Sequence, residues 1–529
     1  MDDFGKLKSA YLRYVDTYRG GDGRLPPMMQ LKLEHTMKVL DAAEKICEGE
    51  SFDPETRLAC RAAALLHDTG RYEQLKLYDT FRDSDSVDHA VFSHDIVSEK
   101  GWLEGWKAKD SILAAVLYHN RREIPAEGMD ALTLACCKVV RDADKLDIFR
   151  VLEDQVANTD WRNDSRAFWN LKTDAPPNPV VVGNVLRGES VAYQDIKCLA
   201  DFVLIQVGWM ISGLEYPTSR LICAQRGHLA FRRDFMYQLT ADPSIDTVCL
   251  KAEKILAKEK IAALVRDTSS TIPEDVRAAL SRARDAEDGA AARAILDTIL
   301  ENCEVAANAR TPLCQDTGIL TFFVDRSLAG IVDRDLVADA VRHATSKGWL
   351  RKNCIDPLDG KSYDDNVSTT LPVVKYTDLG GRKIILLMKG GGSENMSRQY
   401  SLPDASLGAG RDLDGVEECI VDAALEAQGY GCAPGVLGVA IGGDRSEGYA
   451  KAKEQLLRDL GDEASDPRLA ALERSALSKI NSLGIGPMGL GGRTTALAVK
   501  AAALSRVPAS YFVTVAYMCW ALRRRSVEI

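Results

Sequence analysis

Histidine and glycine divide this chain between them. Five of its seven histidines, His35, His67, His89, His94 and His119, fall within the first 119 residues, and only His228 and His343 follow. The glycine-rich runs KGGGSEN, GVAIGGD and GIGPMGLGGRTT all lie beyond residue 380. Imidazoles gathered in one half and loop-forming glycines in the other call for two kinds of site. A length of 529 residues also exceeds what one hydrophobic core usually serves, so at least two domains are expected.

Residues 1 to about 235 read mainly as helices: LKLEHTMKVLDAAEKIC, RLACRAAALLHDTG and SILAAVLYHN place apolar residues three and four apart. A Pro, Ser and Asp cluster in TADPSIDTVCL, Thr240 to Leu250, interrupts the pattern before helices resume through KAEKILAKEKIAALVRD. The domain boundary is placed there, with a helical domain over residues 1–240 and a second domain over residues 250–529. Beyond Thr311, helical stretches alternate with the strand candidates TFFVD, RKIILLMK, GVLGVAIGG and YFVTVAYMCW. The expected fold class is multi-domain, an all-α helical bundle followed by a mixed α/β domain.

The 67 Lys and Arg residues stand against 77 Asp and Glu, a formal charge of -10. No global field draws such a chain to nucleic acid or to anionic lipid, so neither is an expected partner. No window is long and apolar enough to span a bilayer, and the N-terminal stretch lacks a basic head followed by an apolar run; a cytoplasmic location is expected. The 13 cysteines include no CxxC pair, which argues against a disulfide framework or a zinc knuckle. A metal site built from them has to gather thiols from distant positions.

In ALLHDTGR an apolar helical run ends on His67 and Asp68, an imidazole and a carboxylate side by side. Together they suit a hard or borderline metal ion. His35 precedes this pair, His89 and His119 follow it, and VVRDADKLDIFR supplies Asp142. This order, with GRYEQLKLYDTFRDSDSVDHA beside it, resembles the HD phosphohydrolase superfamily. The resemblance implies an HD-type helical domain in which His35, His67, Asp68, His89, His119 and Asp142 hold one or two divalent ions such as Mn, Fe or Mg. Such a site would activate water and neutralise phosphate charge in ester hydrolysis.

In the second half, strand-like RKIILLMK runs into three glycines and Ser-Glu-Asn, where backbone N–H groups are free to converge on an anion. No Gly-Lys-Ser/Thr ending follows, so a Walker-type nucleotide loop is not supported. Cys314, Cys432 and Cys519 are about a hundred residues apart, and their spacing alone says nothing. Their settings say more: Cys314 precedes Gln-Asp-Thr-Gly, Cys432 precedes a strand candidate, and Cys519 ends one.

The motifs CQDTG, KGGGSEN, GCAPGVLGVAIGGD, GIGPMGLGG and CWALRR together resemble the alpha region of the iron-sulfur (class I) fumarate hydratases and L-tartrate dehydratases. That resemblance implies a [4Fe-4S] cluster on Cys314, Cys432 and Cys519 with one iron left open as a Lewis acid. It implies a hydro-lyase interconverting L-malate and fumarate, or a similar hydroxy-dicarboxylate such as tartrate. Gln315, Asp316 and Arg351 are then the expected catalytic residues. Lys389, Gly390, Gly391, Gly392 and Ser393 are expected to hold substrate carboxylates. Enzymes of this type also need a beta region, and no block of that kind is visible in the sequence. A separate beta subunit is therefore the expected partner, in a heteromer that can itself dimerise. The alternative reading makes the HD half the working phosphohydrolase on a nucleotide or phosphate ester, with the iron-sulfur half as a redox or iron sensor.

Overall fold

Aspartate and proline set the helix starts of the first half. Asp53 accepts from the N–H groups of Glu55 and Thr56, Asp88 from Ala90 and Val91, and Asp130 from Thr133. Each carboxylate takes up donors that a first helical turn leaves free. Pro27 opens a further helix, and Pro54 the one that Asp53 caps, at positions where a missing N–H is harmless. The computed structural model describes residues 2–162, 168 and 171–529. They divide into two units, Met1–Glu259 and Lys260–Ile529. The Pro-Ser-Asp cluster near Thr240 starts a helix, Ser244–Ser270, and the division falls within it.

The first unit is helical. It begins α1 (Asp3–Asp16), α2 (Pro27–Gly49), α3 (Pro54–Leu66), α4 (Gly70–Tyr78), α5 (His89–Glu99), α6 (Lys109–Tyr118) and α7 (Ala131–Asn158), and further helices follow from Pro179. In α3, Ala59, Ala62, Ala63 and Ala64 are all buried, so small side chains let the neighbouring helices approach closely. Val39, Ala43 and Ile46 of α2 and Val139, Val140, Ala143 and Leu146 of α7 share the same core.

The second unit carries ten strands: β1 (Ile319–Asp325), β2 (Cys354–Ile355), β3 (Ser362–Tyr363), β4 (Val373–Thr377), β5 (Lys383–Lys389), β6 (Arg398–Ser401), β7 (Gly435–Ile441), β8 (Ala496–Ala503), β9 (Phe512–Met518) and β10 (Arg523–Glu528). One four-stranded sheet has the order β10-β5-β1-β4 and another the order β6-β9-β7-β8; β2 and β3 form a small pair. Both larger sheets are mixed: β1 and β7 each have one parallel and one antiparallel neighbour. The four strand candidates of the sequence are β1, β5, β7 and β9. Every residue of β7 is buried, which fits an interior strand read as a continuous apolar run. No helix among the described residues is long and apolar enough to cross a membrane.

One glycine fixes how the loop before β1 meets the end of β5. Gly318 has φ 75° and a Cβ there would lie 2.5 Å from Lys389 O. Gly318→Ala combines a left-handed backbone with a clash against main chain, so it should destabilise this unit by more than about 1 kcal/mol. A thermal melt is expected to drop by several degrees; an unchanged midpoint would contradict the close approach.

Candidate functional site

Four histidines of the first unit are aimed by their second nitrogens. His35 Nδ1 lies 2.7 Å from Asp147 Oδ2 and His89 Nδ1 lies 2.5 Å from Asp83 Oδ2. His67 Nδ1 and His119 Nδ1 sit 2.8 and 2.7 Å from the carbonyls of Ala64 and Val116, one turn back in α3 and α6. Carbonyl and carboxylate partners at Nδ1 fix each tautomer and leave Nε2 as a metal-binding lone pair. His67 Nε2 is buried with no hydrogen-bond partner.

Those Nε2 atoms converge on Asp68. Its Oδ2 is 3.6 Å from both His35 Nε2 and His67 Nε2, and its Oδ1 is 3.7 Å from both His89 Nε2 and His119 Nε2. Donors bound about 2.1 Å from one ion stand roughly 3 Å or a little more from each other, so these gaps suit the ligands of a metal ion. Each carboxylate oxygen faces a different imidazole pair. Lys32 Nζ, 2.9 Å from Asp68 Oδ2, supplies positive charge at the same oxygen. Burial opposes ionisation of Asp68, but the charges of Lys32 and Arg71 hold it well below the usual carboxylate range. Burial pushes His67 down to about 4, which keeps its imidazole neutral and ready to ligate.

The acidic ligand from α7 is a correction to the sequence expectation. Asp142 does not join this group: its carboxylate accepts from Glu215 N at 2.9 and 3.0 Å and from Tyr216 N at 3.0 Å, and burial raises it. Asp144 takes the place instead, with Oδ1 3.2 Å from His35 Nε2, and His35, His67 and Asp144 form a set whose ligand atoms lie within 4.8 Å of one another. Two residues apart on a helix means about 200° of rotation, so Asp142 and Asp144 face opposite sides. Asp144→Ala should weaken divalent metal binding about tenfold or more with the fold intact. Asp142→Ala should leave buried N–H groups unpaired and cost roughly 1–3 kcal/mol while metal affinity persists. Isothermal titration with Mn²⁺ alongside a thermal melt separates the two outcomes.

In the second unit, strand register does the gathering. Antiparallel β1 and β5 set Ile319 opposite Lys389, so the CQDTG loop lies beside the glycine run that follows β5. Antiparallel β10 and β5 set Arg523 opposite Met388 at the same end. In the other sheet, Val436 of β7 stands opposite Met518 of β9, which brings Cys432, upstream of one strand, beside Cys519, downstream of the other. Trp520 N donates to Cys432 O at 3.3 Å and Met488 N to Ala433 O at 2.9 Å, so the GIGPMGLGG loop ends there too. Gly431 is needed for this turn: a Cβ would come 2.3 Å from the Tyr517 ring.

Cys314, Cys432 and Cys519 are the only three of the 13 cysteines that are half-buried rather than buried. Cys303 and Cys354 are buried, the first in a helix and the second in β2. Burial, together with the Cys314 thiol, raises Cys432. Burial pushes Cys519 up to about 11; the Arg523 charge opposes that rise, and Cys432 and Cys314 add to it. Among the described residues, the sets of three ligand atoms within 4.8 Å of one another all lie in the first unit. The three sulfurs form no such tight set, and three thiols are a donor set that an iron-sulfur cluster can use.

The remaining expected residues have unequal fates. Gln315 and Arg351 are exposed beside Cys314, with Arg351 Nε 3.3 Å from Cys314 O. Asp316 is committed to structure: Oδ1 accepts from Gly318 N at 2.8 Å and Asn353 Nδ2 at 3.3 Å, and Oδ2 from Gly391 N at 2.6 Å. Its bond to Gly391 uses one amide of the expected anion nest, and Gly391–Asn395 winds into a short helix rather than an open turn. Ser393 is buried and its hydroxyl donates to Gly390 O. Lys389 is buried against Glu394, 2.5 Å away, and Glu394 also pairs with Lys453. Gly390 is buried, whereas Gly391 and Gly392 remain exposed. Two side chains escaped the sequence reading. Asp144 was hidden by its neighbour in RDAD, and Arg523, buried with Nη2 2.9 Å from Asp316 O, was hidden in a run of three arginines.

Comparison with known proteins falls along the same division. The family profile of fumarate hydratase (Fumerase) matches residues 258–528, and that of the HD domain matches residues 33–148. The chain is 45% identical over 279 residues to a Geobacillus stearothermophilus protein named for class I fumarate hydratase, covering 51% of this chain and 54% of that one. It is 34% identical over 275 residues to a Methanocaldococcus jannaschii protein named for the alpha subunit of L(+)-tartrate dehydratase, covering 50% of this chain and 94% of that one. An Escherichia coli L(+)-tartrate dehydratase subunit alpha is 29% identical over 278 residues, covering 51% of this chain and 90% of its own length. The chain thus spans about half the length of the Geobacillus relative and nearly all of the two alpha subunits.

Proposed function

The chain belongs to the fumarate hydratase (Fumerase) family and carries an HD domain, and from that premise we propose that its second unit is the alpha part of an iron-sulfur hydro-lyase acting on L-malate and fumarate, or on tartrate or a similar hydroxy-dicarboxylate. The observation that carries this reading is the convergence of Cys314, Cys432 and Cys519 by strand register, alone among the cysteines in being half-buried rather than buried. Three thiolates would hold a [4Fe-4S] cluster and leave one iron without a protein thiolate; when bound, that iron supplies Lewis-acid chemistry at a substrate oxygen.

The chain's own residues then bind and orient. Arg351, exposed beside the Cys314 loop, engages a substrate carboxylate with its fork of donors. Gln315, also exposed, offers an amide to the substrate hydroxyl. Asp316 acts through the bonds that tie the Cys314 loop to Gly391, and so holds the loop in place. Lys389, turned inward to Glu394, contributes its charge from below rather than a direct contact.

Gln315, Arg351, Gly391 and Gly392 form an uncovered rim. A separate beta subunit suits that rim, because two relatives are named as alpha subunits, and it would supply the remaining acid-base groups. Thirteen free thiols and an oxygen-labile cluster suit a reducing cytoplasm. The test is anaerobic purification with its partner, followed by assay on fumarate, L-malate and L-tartrate. Cluster-loaded complex that hydrates or dehydrates none of them sinks the reading.

The first unit supports a second activity, metal-dependent hydrolysis of a phosphate ester or nucleotide. What favours it is Asp68, whose two oxygens face two imidazole pairs. Divalent ions there would supply charge neutralisation and a nucleophilic water. Mn²⁺-stimulated release of phosphate from a panel of nucleotides by the full chain is the expected result.

A further inference from the structure

Arg523 is a buried guanidinium with most of its donors unused. It is 2% exposed, and its Nη2 donates to Asp316 O at 2.9 Å, but Nε and Nη1 are buried without an acceptor among the described residues. The carboxylate of Asp316, the residue whose carbonyl Arg523 bonds, is committed elsewhere, to Gly318, Gly391 and Asn353. A buried cation left this way carries a large desolvation cost, and a buried donor without a partner adds to it. Such a group is stable only where an anion arrives that the protein does not itself supply.

Its position says which anion. Arg523 opens β10, four residues after Cys519, and stands opposite Met388 at the sheet end where the three thiols collect. Substrate carboxylates have exposed cations available at Arg351, whereas Arg523 lies beneath the surface. Binding of a cluster would bring three thiolates, and sulfides with them, to this end of the sheets.

Resting on the iron-sulfur reading above, we infer that Arg523 is a positioning residue for the cluster, its buried Nε–H and Nη1–H donating hydrogen bonds to cluster sulfide or to its thiolates. Hydrogen bonds and positive charge at the sulfurs stabilise the reduced, more negative state and raise the potential. Arg523 would thus set how firmly iron is held and how readily the cluster is reduced, before any substrate binds.

The test uses full-length chain, reconstituted anaerobically without substrate, as wild type, Arg523→Met and Arg523→Lys. Bound iron and sulfide are counted, and reduction is followed by electron paramagnetic resonance in a potentiometric titration. Arg523→Met should lower the reduction equilibrium constant about tenfold, a shift of about 59 mV to more negative potential for one electron. Arg523→Lys, which keeps the charge and loses the fork, should fall between. If the Met variant folds poorly, the Lys variant decides: an unchanged potential and spectrum overturns the inference. Wild-type loading and potential in the Met variant overturns it as well. Wild-type chain that takes up no iron and sulfide overturns the family-based reading and this inference together, so the two failures are told apart.

Discussion

Cys432→Ser is expected to strip the second unit of its cluster and to lower the hydro-lyase rate about a thousandfold or more, since a Lewis acid contributes several kcal/mol and each 1.4 kcal/mol is roughly a factor of ten. Cys432 is held where β7 begins, with φ 53° and its carbonyl accepting from Trp520 N, and neither constraint depends on the sulfur. The fold should therefore survive while the cluster does not. Burial already raises this thiol, so iron binding has to displace its proton, and serine lacks an acid of comparable strength. Cys303→Ala and Cys419→Ala, both at buried helical positions, serve as controls that keep iron. Iron, sulfide and visible absorption after anaerobic reconstitution give the answer. Wild-type iron content in Cys432→Ser would remove that residue from the ligand set.

The second large effect belongs to the first unit. Asp68→Asn should abolish paired divalent metal binding, with affinity lower by about a hundredfold or more, because one side chain faces both imidazole pairs. The amide keeps the volume of the carboxylate but loses its charge and one acceptor oxygen. Lys32, 2.9 Å from Oδ2, then has no counter-charge there, and its repulsion of an incoming cation adds to the loss. Metal content by mass spectrometry after equilibration with Mn²⁺, together with any phosphate release, reads the effect. Retention of two ions per chain in Asp68→Asn would show that this carboxylate is not the bridge.

How far the residues announced all this differs between the halves. The order His, His-Asp, His and Asp picks out side chains that gather around Asp68, because each sits near a helix end or on a face that the local pattern defines. It failed at RDADKLD, where two aspartates two residues apart compete. Only the packing of α7 decides which points to His35 and which to the N–H groups of Glu215 and Tyr216. In the second half, motifs marked the cysteines, but their meeting depends on pairings such as Val436 with Met518 and Ile319 with Lys389. Such register is long-range information. Lys389, expected to hold a substrate carboxylate, is buried against Glu394, and Asp316, expected to be catalytic, accepts from Gly391 N. The strand β8, ALAVKAAA, carries helix-forming alanines, and its pairing with β7 overrides that propensity.

The central claim is that three distant cysteines hold a cluster with one open iron for a dicarboxylate. Mössbauer spectroscopy of the ⁵⁷Fe-reconstituted complex, with and without L-malate or L-tartrate, tests it most directly. A [4Fe-4S] signal in which about one quarter of the iron changes on adding substrate is the predicted result. A cluster whose irons all ignore every dicarboxylate, or no cluster at all, would contradict it.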